Sequence, residues 1–175
     1  MKKPGGLWFL FGFAVTSLLG TLLHFAYDFF GEAAWIAPFS GVNESTFEHM
    51  KLLFWPMFIF AAAESFFFPR SKRFWCVNLY GILFGLVLIP IIFYTYNGVI
   101  GKSPDPINIA IFFVCAALAY LLMARLFRAE SVPCVPSWVA LGVLCCIGVL
   151  FAVFTFFTPS LAIFMDPVSG GYGIG

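Results

Sequence analysis

The sequence predicts an all-α integral membrane protein: five transmembrane helices in a bundle, N-terminus inside, C-terminus outside, and a partly apolar outer loop between helices 1 and 2. Three observations carry that reading. Of 175 residues, 62% are hydrophobic and only 10% charged, a balance that water does not tolerate on a chain of this size. The apolar residues fall into runs of about twenty, long enough to cross a hydrocarbon core of roughly 30 Å. Lysine and arginine are also unevenly distributed between the runs, which sets the orientation. The length predicts a single domain over 1–175.

Five spans follow, at approximately 7–30, 48–68, 74–96, 107–126 and 138–157, with an outer tail over 158–175. With the N-terminus inside, Lys2, Lys3, Arg70, Lys72, Arg73, Arg125 and Arg128 lie on the cytoplasmic side and only Lys51 and Lys102 outside. Asp28, Glu32, Glu44, Glu48, Asp105 and Asp166 then collect on the outer face, which becomes electronegative and attracts cations. The expected location is the plasma membrane, crossed several times.

The first span begins after Met-Lys-Lys, in the manner of a signal peptide. Its apolar run is too long for one, carries His24 and Asp28, and has no A-x-A site after it, so it is read as retained. Ser17, Gly20, Thr21, His24, Tyr27 and Asp28 form one stripe at helical spacing. Small residues low in that stripe admit a neighbouring helix. The His24–Asp28 pair above them is either a ligand pair or a hydrogen bond that joins helices.

Residues 31–40 are apolar for a loop. Trp35 suits an interfacial aromatic belt, and the segment is expected to fold back as a roof over the bundle. The next stretch, 41–51, reads Gly-Val-Asn-Glu-Ser-Thr-Phe-Glu-His-Met-Lys and is the most polar part of the chain. Ser45-Thr-Phe-Glu48 matches the S/T-x-x-E capping box, which by itself accounts for Ser45 and Glu48. Asn43, Glu44, His49 and Lys51 remain unexplained, and a polar cluster between apolar spans is a functional-site hypothesis. Adjacent helical residues point about 100° apart, so of Glu48 and His49 one is expected to ligate and the other to support. Glu64 lies about 22 Å further along the same helix and is read as a snorkelled partner of the basic inner loop.

The third span contains Gly81-Ile-Leu-Phe-Gly85, a GxxxG packing motif that offers a contact to a second copy or another membrane partner. Pro90 would kink its outer half. The fourth and fifth spans have small residues for helix contact and no charge at their centres. The five cysteines lack C-x-x-C spacing and are read as small apolar fillers, not as a metal ribbon or disulfide framework. No internal repeat supports an inverted-repeat transporter. No basic patch supports nucleic acid as a partner, leaving the lipid bilayer.

The chemistry-bearing residues therefore gather at the outer ends of the first two spans. His24, Asp28 and His49 are ordinary ligands for a divalent metal ion, zinc or similar. Glu44 and Glu48 are candidate general bases for a catalytic ion with an open position. Tyr27, Trp35, Asn43 and Lys51 are candidate substrate contacts. Bis-histidine haem ligation lacks the arginines that would meet the propionates. No G-x-S-x-G, P-loop, GxGxxG or HExxH pattern occurs.

Three segments carry a family resemblance: His24-x-x-Tyr27-Asp28, then Val42-Asn-Glu-Ser-Thr-Phe-Glu-His49-Met-Lys51, and Asp166-Pro-Val-Ser-Gly-Gly-Tyr172-Gly173. Together the chain resembles a family of small bacterial polytopic membrane proteins of unknown function, over most of its length. The resemblance implies that the outer cluster and the tail belong together. Three function classes remain: a metal-dependent enzyme acting on a lipid or lipid-linked substrate, a transporter or capture subunit for a cation or small solute, and a structural or regulatory partner without a ligand.

Overall fold

The computed structural model describes residues 5–67, 73–101 and 105–174. Lys2, Lys3, Arg70, Lys72 and Lys102, which contribute to the charge asymmetry, lie outside the described residues, as does the predicted end of the second span at Phe68. The described chain is helical: α1 Gly6–Phe29, α2 Thr46–Ser65, α3 Phe74–Ile100, α4 Asp105–Arg128 and α5 Ser137–Phe156, followed by a 3-10 turn at Ala162–Phe164. The spans read from periodicity fall on these five helices. Four of them, all but α2, are long and apolar enough to cross a membrane.

The exception is the organising element. α2 carries Glu48, Lys51 and Glu64, and all three are buried. Helices α1, α3, α4 and α5 each pack against it, so the least apolar helix is the one the others screen from lipid. That is the arrangement a bilayer demands of ionisable groups. α1 also packs on α4, and α3 on both α4 and α5. A core of Leu53, Phe54, Met57, Val77, Ile82, Cys115, Ala119, Met123 and Leu144 fills the centre.

Close approach sets this packing. A Cβ on Gly12 would strike the Tyr120 and Phe60 rings, and one on Gly20 would come within 2.9 Å of the Leu52 carbonyl oxygen and against the Phe112 ring. Thr16 Oγ1 and Tyr120 OH close the same α1–α4 seam with a hydrogen bond of 2.8 Å. The GxxxG pair on α3 is used in the same way. Gly81 abuts Met123 of α4, and Gly85 abuts Leu53 of α2 and Ala119 of α4. This corrects the reading of Gly81 and Gly85 as a surface for a second copy or partner: both are buried inside the chain's own bundle.

Two further expectations are corrected. Cys76 and Cys134 form a disulfide with a Cα–Cα separation of 5.6 Å, so they are not fillers. The start of α3 and the loop before α5, 58 residues apart in sequence, meet at one end of the bundle. Glu64 does not snorkel toward Arg73. It is buried beside the Trp8 indole, while the Arg73 guanidinium donates to the carbonyl oxygens of Ala129 and Glu130 at 2.9 and 2.6 Å.

Candidate functional site

The site is built where the last turns of α1, the connection into α2 and the C-terminal segment converge. α1 ends as Gly31 and Glu32 take left-handed backbone angles, φ 66° and 59°, and the Glu32 amide donates to the Tyr27 carbonyl at 2.9 Å. The chain then returns across the bundle, and the Gly41 amide donates to the Leu23 carbonyl at 3.4 Å. This seats the polar stretch beside His24.

Ser45 caps α2, accepting from the Glu48 amide at 3.4 Å. The second half of the predicted capping box is replaced. The Ser45 amide donates to Asn43 Oδ1 at 2.9 Å, and Glu48 Oε2 accepts from the Val42 amide at 3.0 Å. The same Glu48 oxygen lies 2.7 Å from Lys51 Nζ. That ammonium also donates to the Ala37 carbonyl at 2.7 Å and Thr155 Oγ1 at 2.9 Å. Glu48 and Lys51 are therefore enclosed and fully engaged with one another and with the loop and α5. They present nothing to a ligand.

His49, one residue on, faces the other way. Its Nε2 is 3.7 Å from Glu44 Oε2, and His24 Nε2 is 3.5 Å from Glu44 Oε1. The imidazole centroids are 5.8 Å apart, and one ligand atom from each of the three side chains lies within 4.8 Å of the others. Two ligands bonded at about 2.1 Å to one tetrahedral ion stand about 3.4 Å apart. Each imidazole stands close to that distance from a different Glu44 oxygen, His24 from Oε1 and His49 from Oε2. His49 Nδ1 is 3.0 Å from the Ser45 carbonyl oxygen, which accepts only, so this bond assigns the hydrogen to Nδ1. In the neutral ring Nε2 then presents a lone pair toward a carboxylate. Such groups repel unless a proton or a cation stands between them, and a backbone-anchored Nδ1–H is the usual support of a metal-ligating histidine.

Below this cluster lies a pocket of about 350 Å³. α1 supplies Gly20, Thr21 and Phe25 to it, and α4 supplies Asn108, Ile109, Phe112 and Phe113. Val168 of the C-terminal segment also lines it. That segment is a tight hairpin: the Asp166 amide donates to Gly171 O at 2.9 Å, the Gly170 amide to Asp166 O at 2.8 Å, and Met165 pairs with Tyr172. Asn43 Nδ2 donates to Gly173 O at 3.1 Å and ties the hairpin to the polar stretch. Burial pushes the Asp166 carboxyl up, but hydrogen bonds from the Ser169 hydroxyl and from the Val168, Ser169 and Glu44 amides outweigh it and hold the group below its ordinary range. One of those donors is the backbone of Glu44 itself.

Of the residues singled out in the sequence, His24, Glu44 and His49 come together. Asp28 is exposed and outside the cluster. Tyr27 is buried against Ile36 and Ala37, and Trp35 is exposed with its ring 5.1 Å from Phe30. The 31–40 loop does not line the pocket; the tail does. Val168 and the α4 residues were missed, because nothing in their local pattern separates them from turn and lipid-facing positions. A family model described as "Family of unknown function (DUF6512)" matches residues 2–174. No curated protein and no solved structure matches the chain.

Proposed function

The chain belongs to the DUF6512 family, whose function is unknown, and for it we propose a multi-pass plasma-membrane enzyme that binds a divalent transition metal ion through His24, Glu44 and His49 at its outward end. The observation that carries this is the pair of imidazole Nε2 atoms flanking one carboxylate at 3.5 and 3.7 Å, with the His49 ring oriented by the Ser45 carbonyl. An ion held by three side chains keeps a position open and supplies Lewis acidity to a substrate oxygen or water. The outward orientation rests on the lysine and arginine distribution. The substrate is a lipid or lipid-linked molecule, because the pocket adjoining the ion is lined largely by apolar side chains of membrane-crossing helices.

Transport is the weaker reading. Gly20 sits directly against the Phe112 ring and the Leu52 carbonyl, which closes the pocket floor toward the bundle interior. A purely structural role would need a proton between the His49 Nε2 lone pair and the Glu44 carboxylate.

Metal analysis of the purified chain tests the proposal. Stoichiometric divalent metal is expected in the wild type, retained in Asp28→Asn and lost in His24→Ala and His49→Ala. A folded wild-type protein that neither carries metal nor takes up zinc on addition overturns it.

A further inference from the structure

Resting on that reading of the cation site, we infer that the ligand is a single-chain amphiphile with an oxyanion headgroup, loaded sideways from the bilayer through the seam between α1 and α4. The pocket is chemically graded. His24, Glu44 and His49 form its polar group; Leu52, Phe25, Ile109, Phe112 and Phe113 make most of the remaining wall apolar, with Asn108 a further polar side chain in it. A divalent ion with one glutamate ligand keeps a net positive charge, which favours an anionic oxygen as the incoming group.

The hydrocarbon half is equally specified. Thr21 Oγ1 donates to the Ser17 carbonyl of its own helix at 2.8 Å, so its hydroxyl is already engaged within α1. Phe25 and Ile109, 61% and 56% exposed, flank the pocket on α1 and α4, the two membrane-crossing helices that bound the seam. Val168 of the tail hairpin lines one side of it, and below, Gly20 lies against the Phe112 ring. The seam is shut further down, where Thr16 and Tyr120 hydrogen-bond. The polar end is open where Glu44 is half exposed, and the apolar part opens laterally between Phe25 and Ile109. The pocket, about 350 Å³, is of the size of a small-molecule site. That accommodates a headgroup and the upper part of one chain. The second acyl chain of a glycerolipid would have to stay outside it, in the bilayer.

Photolabelling of the full chain in zinc-loaded nanodiscs tests this with four diazirine probes: dodecyl phosphate, dodecanoate, dodecane and a two-chain phosphatidate. One or both single-chain oxyanion probes should label 20–25 and 108–113, and the stronger one identifies the headgroup. That labelling should fall at least tenfold in Ile109→Trp, which fills the lip, and persist in Val87→Trp, an exposed change on α3. Equal labelling of these segments by dodecane or phosphatidate overturns the inference, as does undiminished labelling in Ile109→Trp. Metal content is measured on the same samples. Metal retained with labelling undiminished in Ile109→Trp counts against the amphiphile alone, whereas the expected labelling in a chain that takes up no metal overturns the cation site and leaves the chain pocket.

Discussion

Lys51 is among the bulkiest wholly buried side chains of the described residues, and its surroundings explain how a membrane bundle tolerates it. An ammonium has three donors, and here three acceptors meet them: Glu48, the Ala37 carbonyl and Thr155 Oγ1. Thr155 can accept because its own hydrogen goes to the Phe151 carbonyl at 2.8 Å. One side chain thus ties α2 to the 31–40 loop and to α5. Removing it leaves a buried carboxylate without its counter-ion, and breaking such a pair destabilises by roughly 3–5 kcal/mol. Lys51→Met is therefore expected to lower the unfolding temperature in detergent sharply. The double change Glu48→Gln with Lys51→Met should recover part of the loss. A single variant as stable as the wild type would mean that the pair contributes nothing. The sequence made both residues conspicuous but not their partnership, since i,i+3 spacing permits an ion pair without excluding a ligand role for either.

At the scale of elements, the C-terminal hairpin is tied to the polar stretch through Asn43 and lines the candidate pocket with Val168. Its turn residues stand in Asp166-Pro-Val-Ser-Gly-Gly; its place beside the outer cluster was implied by the family resemblance and by no local pattern, because Asn43 and Glu44 lie more than a hundred residues away. The Asp166 carboxyl is held below its ordinary range, so the stability it lends is present above the unfolded carboxylate value of about 3.9 and lost as pH falls through its folded value. Resistance of the tail to limited proteolysis is thus expected to be flat from neutral pH down to about 4 and to fall below it. Asp166→Asn should be susceptible throughout. A tail equally protected at low pH, or equally protected in that variant, would show that the carboxylate does not hold it. The α2 cap carries a similar lesson: Ser45 caps as its motif predicts, yet Glu48 turns to Val42 and Lys51 because Asn43 has already taken the Ser45 amide.

Across the whole molecule, the ends of the bundle differ in chemistry. One carries the histidines, Glu44 and the hairpin; the other carries Arg73, Arg125, Arg128 and the Cys76–Cys134 disulfide. Two rules disagree about the second end. Lysine and arginine retention assigns it to the cytoplasm, where thiols are kept reduced. The charge rule is the stronger here, since it draws on residues at several connections and the disulfide on a single pair. Reporter fusions are expected to place the N-terminus inside and the C-terminus outside. A cytoplasmic C-terminus would invert the proposed exposure of the metal site.

Composition and periodicity alone determined that the chain is helical with five long helices, that Ser45 caps the second, and that polar side chains concentrate at 41–51. These are local matters: a run of apolar residues and a 3.6-residue repeat are visible within one segment. How each helix is turned about its own axis was decided only by packing. The close seams at Gly12, Gly20, Gly81 and Gly85 set those rotations, and they send His49 to the site and Glu48 into the core, leave Asp28 and Trp35 outside, and bring Val168 over the pocket. No single segment encodes such a rotation, because it is the joint solution for all the helices that touch.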